Sequence, residues 1–227
     1  MEAGSRLYIT RKRKKWKFAH FDEWPNCFTG DKAKPRKWPK FFGDKDALII
    51  EVGAGTADLS VGLAGQRPNE HFVAVDIKSD RLYTGAKFAL EHHIENIAFV
   101  RSHIANIESI FAARSVKELW ITFPDPFPRK KQAKHRLTHP AFLERYAALL
   151  SDDGVLRFKT DNRDLFLWSL EQFVGLGWRL EELSFDLHES ELSAEYMITT
   201  AYERRFMAEG TQINFLSATP PKAGIAK

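Results

Sequence analysis

From residue 46 onward, short runs of β-branched and aromatic residues alternate with longer stretches in which apolar positions recur every three or four residues. These are the periods of strand and helix. The short runs predict strands at 47–52, 72–76, 97–100, 118–123 and 155–160, and the stretches between them predict helices near 57–66, 79–93, 106–113, 139–150 and 163–176. A βαβα order of this kind implies an α/β fold with a mostly parallel sheet and helices on both faces. Two last runs, 179–186 and 195–206, have no helix-length stretch between them and predict an antiparallel pair at one edge. The final dozen residues read as a tail.

Before residue 46 the pattern is different. Trp16, Phe18, Phe21, Trp24, Phe28, Trp38, Phe41 and Phe42 alternate with Pro25, Pro35 and Pro39, and neither period runs through them. The expected organisation is therefore a basic aromatic arm at 1–45, an α/β domain at 46–207 and a C-terminal tail at 208–227. Charge supports the division. The chain carries +4 overall, but residues 1–50 hold 13 Lys and Arg against 6 Asp and Glu, while the other 177 hold 21 against 24. A basic arm on a mildly acidic body is what a polyanion selects, because each cation placed at a phosphate releases condensed counterions.

Composition narrows the class further. With 44% hydrophobic and 28% charged residues the chain can bury a sizeable core, and no apolar run approaches the length of a membrane span or of a signal-peptide core. A single cysteine, Cys27, closes no intrachain disulfide and forms no thiolate-rich zinc site, so no metal is expected and a reducing cytoplasm fits best.

In open α/β sheets ligands sit beyond the carboxyl ends of the strands. After the first predicted strand of the domain stands Glu51-Val52-Gly53-Ala54-Gly55-Thr56-Ala57, where Gly53 and Gly55 allow a sharp turn and a close backbone approach at a helix start. Such a Gly-x-Gly also fits a plain strand-to-helix turn. The second strand ends in Asp76, 23 residues after Gly53, near the spacing at which an acid meets ribose hydroxyls. Asp58 stands where a dinucleotide site has a third glycine. The order acidic-x-Gly-x-Gly-x-small instead resembles the first motif of S-adenosylmethionine-dependent methyltransferases, with Ala57 as the small residue. That resemblance implies Glu51 beside the methionine moiety, Asp76 at the ribose, and S-adenosyl-L-methionine as cofactor.

The fourth strand leads into Phe123-Pro124-Asp125-Pro126-Phe127-Pro128-Arg129, whose prolines stiffen the backbone that carries Asp125. A basic run follows to Arg136; charge runs are commonly solvated loops, but this one directly follows a Pro-Asp-Pro turn at the functional edge of the sheet. Together with Lys159-Thr160-Asp161-Asn162 and Thr200-Ala201-Tyr202-Glu203-Arg204-Arg205-Phe206, this stretch resembles the bacterial tRNA (guanine-N7)-methyltransferase family over roughly residues 45–207. The resemblance implies a Rossmann-like methyltransferase fold with a mostly parallel seven-stranded sheet and an antiparallel C-terminal edge pair. It implies methyl transfer to N7 of the variable-loop guanosine (position 46) of tRNA, with Asp125 as the catalytic acid and a cofactor contact. Arg129, Asp161, Thr200, Ala201, Tyr202 and Glu203 match its substrate-binding positions. Phe127 replaces the usual Trp, and His103 stands where an acid normally lies near the adenine ring, with Asn106 as a neighbouring substitute.

The chemistry agrees with those residue types. Guanine N7 has an in-plane lone pair and needs no strong base, so a preorganised carboxylate near the purine serves to stabilise the positive charge that develops there. A carboxylate, Asp161 or Glu203, can accept both N1–H and N2–H of guanine, while Phe127 can stack on the base. Plainer roles stand beside these: Asp161 as a helix cap, Glu203 in an ion pair with Arg204 or Arg205, and the arm's aromatics as docking groups. Two other functions are open to the same residues, an amino-group methyltransferase for adenine or cytosine and a non-catalytic RNA-binding relative. A monomer or homodimer without membrane attachment is expected.

Overall fold

The structure, a computed structural model, describes residues 20–35, 37–43 and 48–222. The basic run at 11–15, with Trp16 and Phe18, lies outside them. Among the described residues eight strands form one sheet: β1 (Cys27–Thr29), β2 (Leu48–Val52), β3 (Phe72–Asp76), β4 (Ile97–Arg101), β5 (Val116–Thr122), β6 (Leu150–Thr160), β7 (Arg179–Ser184) and β8 (Asn214–Thr219). Their spatial order is β1-β4-β3-β2-β5-β6-β8-β7. All neighbours from β1 to β6 are parallel, and β8 runs against both of its neighbours. The α-helices are α1 (Lys37–Phe42), α2 (Asp58–Gln66), α3 (Ser79–Glu91), α4 (Ile107–Ile110), α5 (Pro140–Leu149), α6 (Arg163–Gly175) and α7 (Ala201–Ala208).

Strands covered on both faces read as continuous apolar runs, because successive side chains point to opposite sides. Ile49, Ala74, Phe99, Trp120 and Phe215 face α2 and α3 on one side, while Ile50, Val73, Val100, Ile121 and Leu216 face α1, α4, α5 and α6 on the other. The aromatics near the amino end dock into these layers. Phe21, Phe28 and Trp38 are buried, and the Trp38 indole N–H donates to the Ile110 carbonyl at 2.8 Å.

The observed sheet differs from the sequence reading in two places. An eighth strand appears because Cys27–Thr29 pairs in parallel with Phe99–Arg101; three residues are too few to show a period. The predicted strand at 195–206 is instead a 3-10 turn at Ala194–Met197 followed by α7. A capping box decides this. The Thr200 hydroxyl accepts from the Glu203 amide at 3.1 Å, and the Glu203 carboxylate accepts from the Thr200 amide at 3.2 Å. The antiparallel strand is β8, drawn from residues that read as tail, and it lies between β6 and β7. Among the described residues no helix is long and apolar enough to cross a membrane.

Candidate active site

Because β2 to β6 are parallel, their carboxyl ends reach one edge, and there they frame a cleft of about 490 Å³. Its first wall is the turn after β2. Gly53 and Gly55 sit at φ +72° and +57°, where side chains are strained, and a Cβ on Gly53 would also stand 2.8 Å from Leu137 Cδ1. Asp76 ties this turn to the end of β3: one carboxylate oxygen accepts from the Gly55 amide at 2.8 Å and the other from the Lys78 amide at 2.7 Å. Each oxygen keeps a lone pair for a further donor. Gly85 of α3 supports the turn from behind, since a Cβ there would clash with the Thr56 carbonyl.

Glu51 lies off the cleft wall, buried beneath the turn at 1% exposure. One oxygen accepts from the Ser60 amide at 3.2 Å and the Ser60 hydroxyl at 2.6 Å, and the other accepts from the Thr122 hydroxyl at 2.6 Å. Burial outweighs these bonds and pushes the carboxyl up to about 7. A cation brought close would reverse that balance.

The opposite wall is the loop after β5. Phe123 and Phe127 occupy left-handed φ values of +46° and +43° two residues either side of Asp125, which is exposed and lines the cleft. Such conformations cost about 1–3 kcal/mol each and persist only where the surroundings impose them. Arg136 supplies that constraint. Its guanidinium donates to the Pro126 carbonyl at 3.0 Å and the Phe127 carbonyl at 3.1 Å, while its plane lies 4.3 Å from the Trp168 ring centroid. The end of the basic run thus clamps the loop, whereas Arg129, Lys130, Lys131 and Lys134 remain exposed beside it.

His103 lines the cleft and Asn106 does not. The His103 Nδ1 accepts from the Ala105 amide at 3.1 Å, so the neutral ring carries its proton on Nε2 and offers a donor where an acid would offer an acceptor. Ile77, 55% exposed, and Phe142 add apolar surface to the same cleft.

The structure therefore brings Gly53, Asp76, His103 and Asp125 onto one cleft, with Gly55 and Glu51 behind them, and leaves Asn106, Arg129, Asp161, Thr200 and Glu203 off its wall. Asp161 is half-buried at the end of β6, and burial raises its carboxyl above the usual range. The helix cap beside it is Asn162, which accepts from the Leu165 amide at 2.8 Å. Glu203 is fully buried, and its partners are Lys159, at 2.7 and 2.9 Å, His188 at 2.9 Å and the Thr200 amide, with neither Arg204 nor Arg205 among them. These occupy the roughly four acceptor sites of a carboxylate. Lys159 also donates to the Tyr196 and Ile198 carbonyls, so it pins the segment before α7 onto β6. The side chains of Ala201 and Tyr202 lie outside the described residues.

Of four supporting residues, Ser60 and Thr122 stood in no motif, while Arg136 and Lys159 lay within the motif stretches without a role of their own. Thr122, the last residue of its strand and aligned beside the end of β2, had the clearest signal.

The chain matches a family described as "Putative methyltransferase" over residues 45–216. It is 38% identical over 212 residues to the tRNA (guanine-N(7)-)-methyltransferase of Cytophaga hutchinsonii, covering 90% of this chain and 96% of that protein. It is 40% identical over 185 residues to the protein of the same name from Lachnoclostridium phytofermentans, with 82% and 86% covered. Among solved structures, 16S rRNA methyltransferase KamB shares the fold at a TM-score of 0.63 and 16% identity, covering 86% of this chain and 95% of that one.

Proposed function

Because this chain belongs to the tRNA (guanine-N7)-methyltransferase family, we propose that it methylates N7 of the variable-loop guanosine of tRNA, using S-adenosyl-L-methionine. The observation that carries the reading is the single cleft that opposes a glycine turn, tied by Asp76, to a clamped loop bearing Asp125.

The cleft fits the cofactor. Its volume is in the range of small-molecule sites, the Asp76 oxygens keep acceptor capacity for a ribose diol, and Ile77, Leu137 and Phe142 offer an apolar slot for a purine. When bound, S-adenosylmethionine supplies an electrophilic methyl on a sulfonium centre. Asp76 would hold the ribose, His103 would donate to an acceptor on the purine edge, and Glu51, once ionised, would supply negative charge near the cationic end. N7 would bond to the methyl carbon through its in-plane lone pair as the sulfur–methyl bond breaks and its electron pair returns to sulfur, leaving a neutral thioether, so no residue removes a proton first. Asp125 stabilises the positive charge that grows on the guanine, held in place by a loop whose geometry is fixed before the reaction. Asp161, with the cap of α6 supplied by Asn162, is the carboxylate available to read N1–H and N2–H. The exposed Arg129, Lys130, Lys131 and Lys134 draw in the RNA backbone.

A transcript with 7-deazaguanosine at the target position tests the attacked atom. The unmodified transcript gains a methyl group and then cleaves at that base after borohydride and aniline. Methylation of the deaza transcript would move the reaction to another atom.

A further inference from the structure

A second pocket, of about 360 Å³, opens beside the edge strand β1, and Lys32, Lys34, Lys37 and Lys40 line it together with Phe28 and Asp22. Resting on the tRNA reading above, we infer that this pocket is a second RNA-backbone site, which takes phosphates of the substrate at a distance from the reacting base.

Charge is the first observation. Among the described residues four lysines and one acid, Asp22, line the pocket, and the Asp22 carboxylate accepts from the Thr29 hydroxyl. Cations gathered this closely repel one another unless an anion lies between them. Order is the second. Lys37 and Lys40 are three residues apart on α1 and so share a face, and α1 is fastened by Trp38, which is buried, stacked on Phe111 at 5.7 Å and hydrogen-bonded to the Ile110 carbonyl. Lys37 Nζ stands 4.9 Å from the Phe28 ring centroid. These cations are presented by a docked element, which lowers the entropy lost on meeting a phosphate.

Guarding a sheet edge is the plain alternative, because lysines on edge strands discourage pairing with other chains. Here all four follow β1, in the turn after it and on α1. The strand itself is only three residues long, which already makes a poor template. Lysines are flexible point charges without a planar fork, so those that line this pocket along a flank suit a run of phosphates better than one discretely held phosphorylated ligand.

Position supplies the third observation. Thr29 is in register with Arg101 at the carboxyl edge that also carries Asp76 and Asp125. β1 lies four strand positions from β5, an offset of roughly 20 Å at about 4.8 Å per strand. That is about six steps of a helical nucleic-acid strand at about 3.4 Å each. A folded tRNA spans it, whereas a short stem-loop with the target in its loop and a stem of about four base pairs, roughly 14 Å at the same rise, does not reach it.

The test compares the protein with a Lys32→Gln, Lys37→Gln, Lys40→Gln variant and its Lys→Arg counterpart, all checked for unchanged thermal unfolding. Binding of an unmodified tRNA transcript is measured against salt, and methylation is measured on the tRNA and on a short stem-loop. The Gln variant is expected to bind tRNA about tenfold more weakly or worse at low salt, with a log-log salt slope shallower by about two. Its kcat on saturating tRNA and its KM for the stem-loop stay within about twofold, and the Arg variant keeps the original slope. Unchanged tRNA affinity and slope in the Gln variant would overturn the site, as would inorganic phosphate bound there that tRNA does not compete away. Failure of the functional reading looks different: the unmodified protein would then bind tRNA through these lysines and methylate nothing.

Discussion

Glu51 keeps its proton to about pH 7, against an ordinary 4.5, because burial outweighs the hydroxyls and amide that favour its charge. Between those values the unfolded chain has ionised and the folded chain has not, so this group's contribution to stability falls as pH rises through the window and is lost above 7. A cationic ligand beside it reverses the preference. Cofactor affinity measured by calorimetry is therefore expected to rise from about pH 6 to pH 8 with release of a proton. Glu51→Gln should flatten that rise and cost about tenfold in affinity at the alkaline end, in line with one charge-assisted interaction. Asp125 is predicted to behave differently. Asp125→Ala should lower kcat by about 100-fold or more while tRNA affinity, read by filter binding, stays within about twofold. Both acids were legible in the sequence because each has a fixed offset from a glycine or a proline. Glu203 was not legible, since the cation that occupies it, Lys159, lies 44 residues away and is brought to it only by the packing of the segment before α7 onto β6.

At the scale of elements, the loop after β5 is held in its two left-handed positions from outside. Arg136→Met removes both bonds to the loop carbonyls together with the cation over Trp168. It is expected to lower kcat by about tenfold or more, with KM for cofactor nearly unchanged and unfolding midpoints slightly reduced. An equal loss in RNA affinity instead would place Arg136 on the substrate. Behind the other wall, Gly85→Ala should destabilise the fold by about 1–3 kcal/mol in denaturant titrations, because the turn has to shift to admit a methyl group. Most helices and buried parallel strands could be read from the sequence to within a residue or two, but β6 begins five residues before the 155–160 run and the helix read at 106–113 spans only Ile107–Ile110. Reading failed at Thr200-Ala201-Tyr202-Glu203, where a capping signature sat inside a run that alternated like a strand, and at β1, where only register with β4 defines the element.

The whole molecule separates its charges. The acids Asp76 and Asp125 line the cofactor cleft with Glu51 buried behind it, while lysines stand beside the Asp125 loop and, after β1, around the second pocket. With about five phosphate contacts to single-stranded regions, the log-log salt slope for tRNA binding is expected near −3.5. A slope near zero in a salt titration would remove the electrostatic account of recognition. The division into basic and acidic parts was visible from the charge count alone. Docking of the amino-terminal aromatics was among the roles open to them, but the contact that fastens α1 was not, because Trp38 reaches a carbonyl 72 residues away.

The insertion of β8 between β6 and β7 also orders the way the sheet is assembled. β7 is synthesised before β8 yet pairs with it alone, so the edge of β6 and the whole of β7 wait, hydrogen-bonded only to water, until a strand thirty residues further along arrives between them. Non-local closure of this kind is slow and leaves strand edges open to other chains in the meantime. In pulse-labelled hydrogen exchange the amides of β7 and β8 should gain protection together, in a single phase later than that of β2 and β3, and aggregation during refolding should fall off with that same rate.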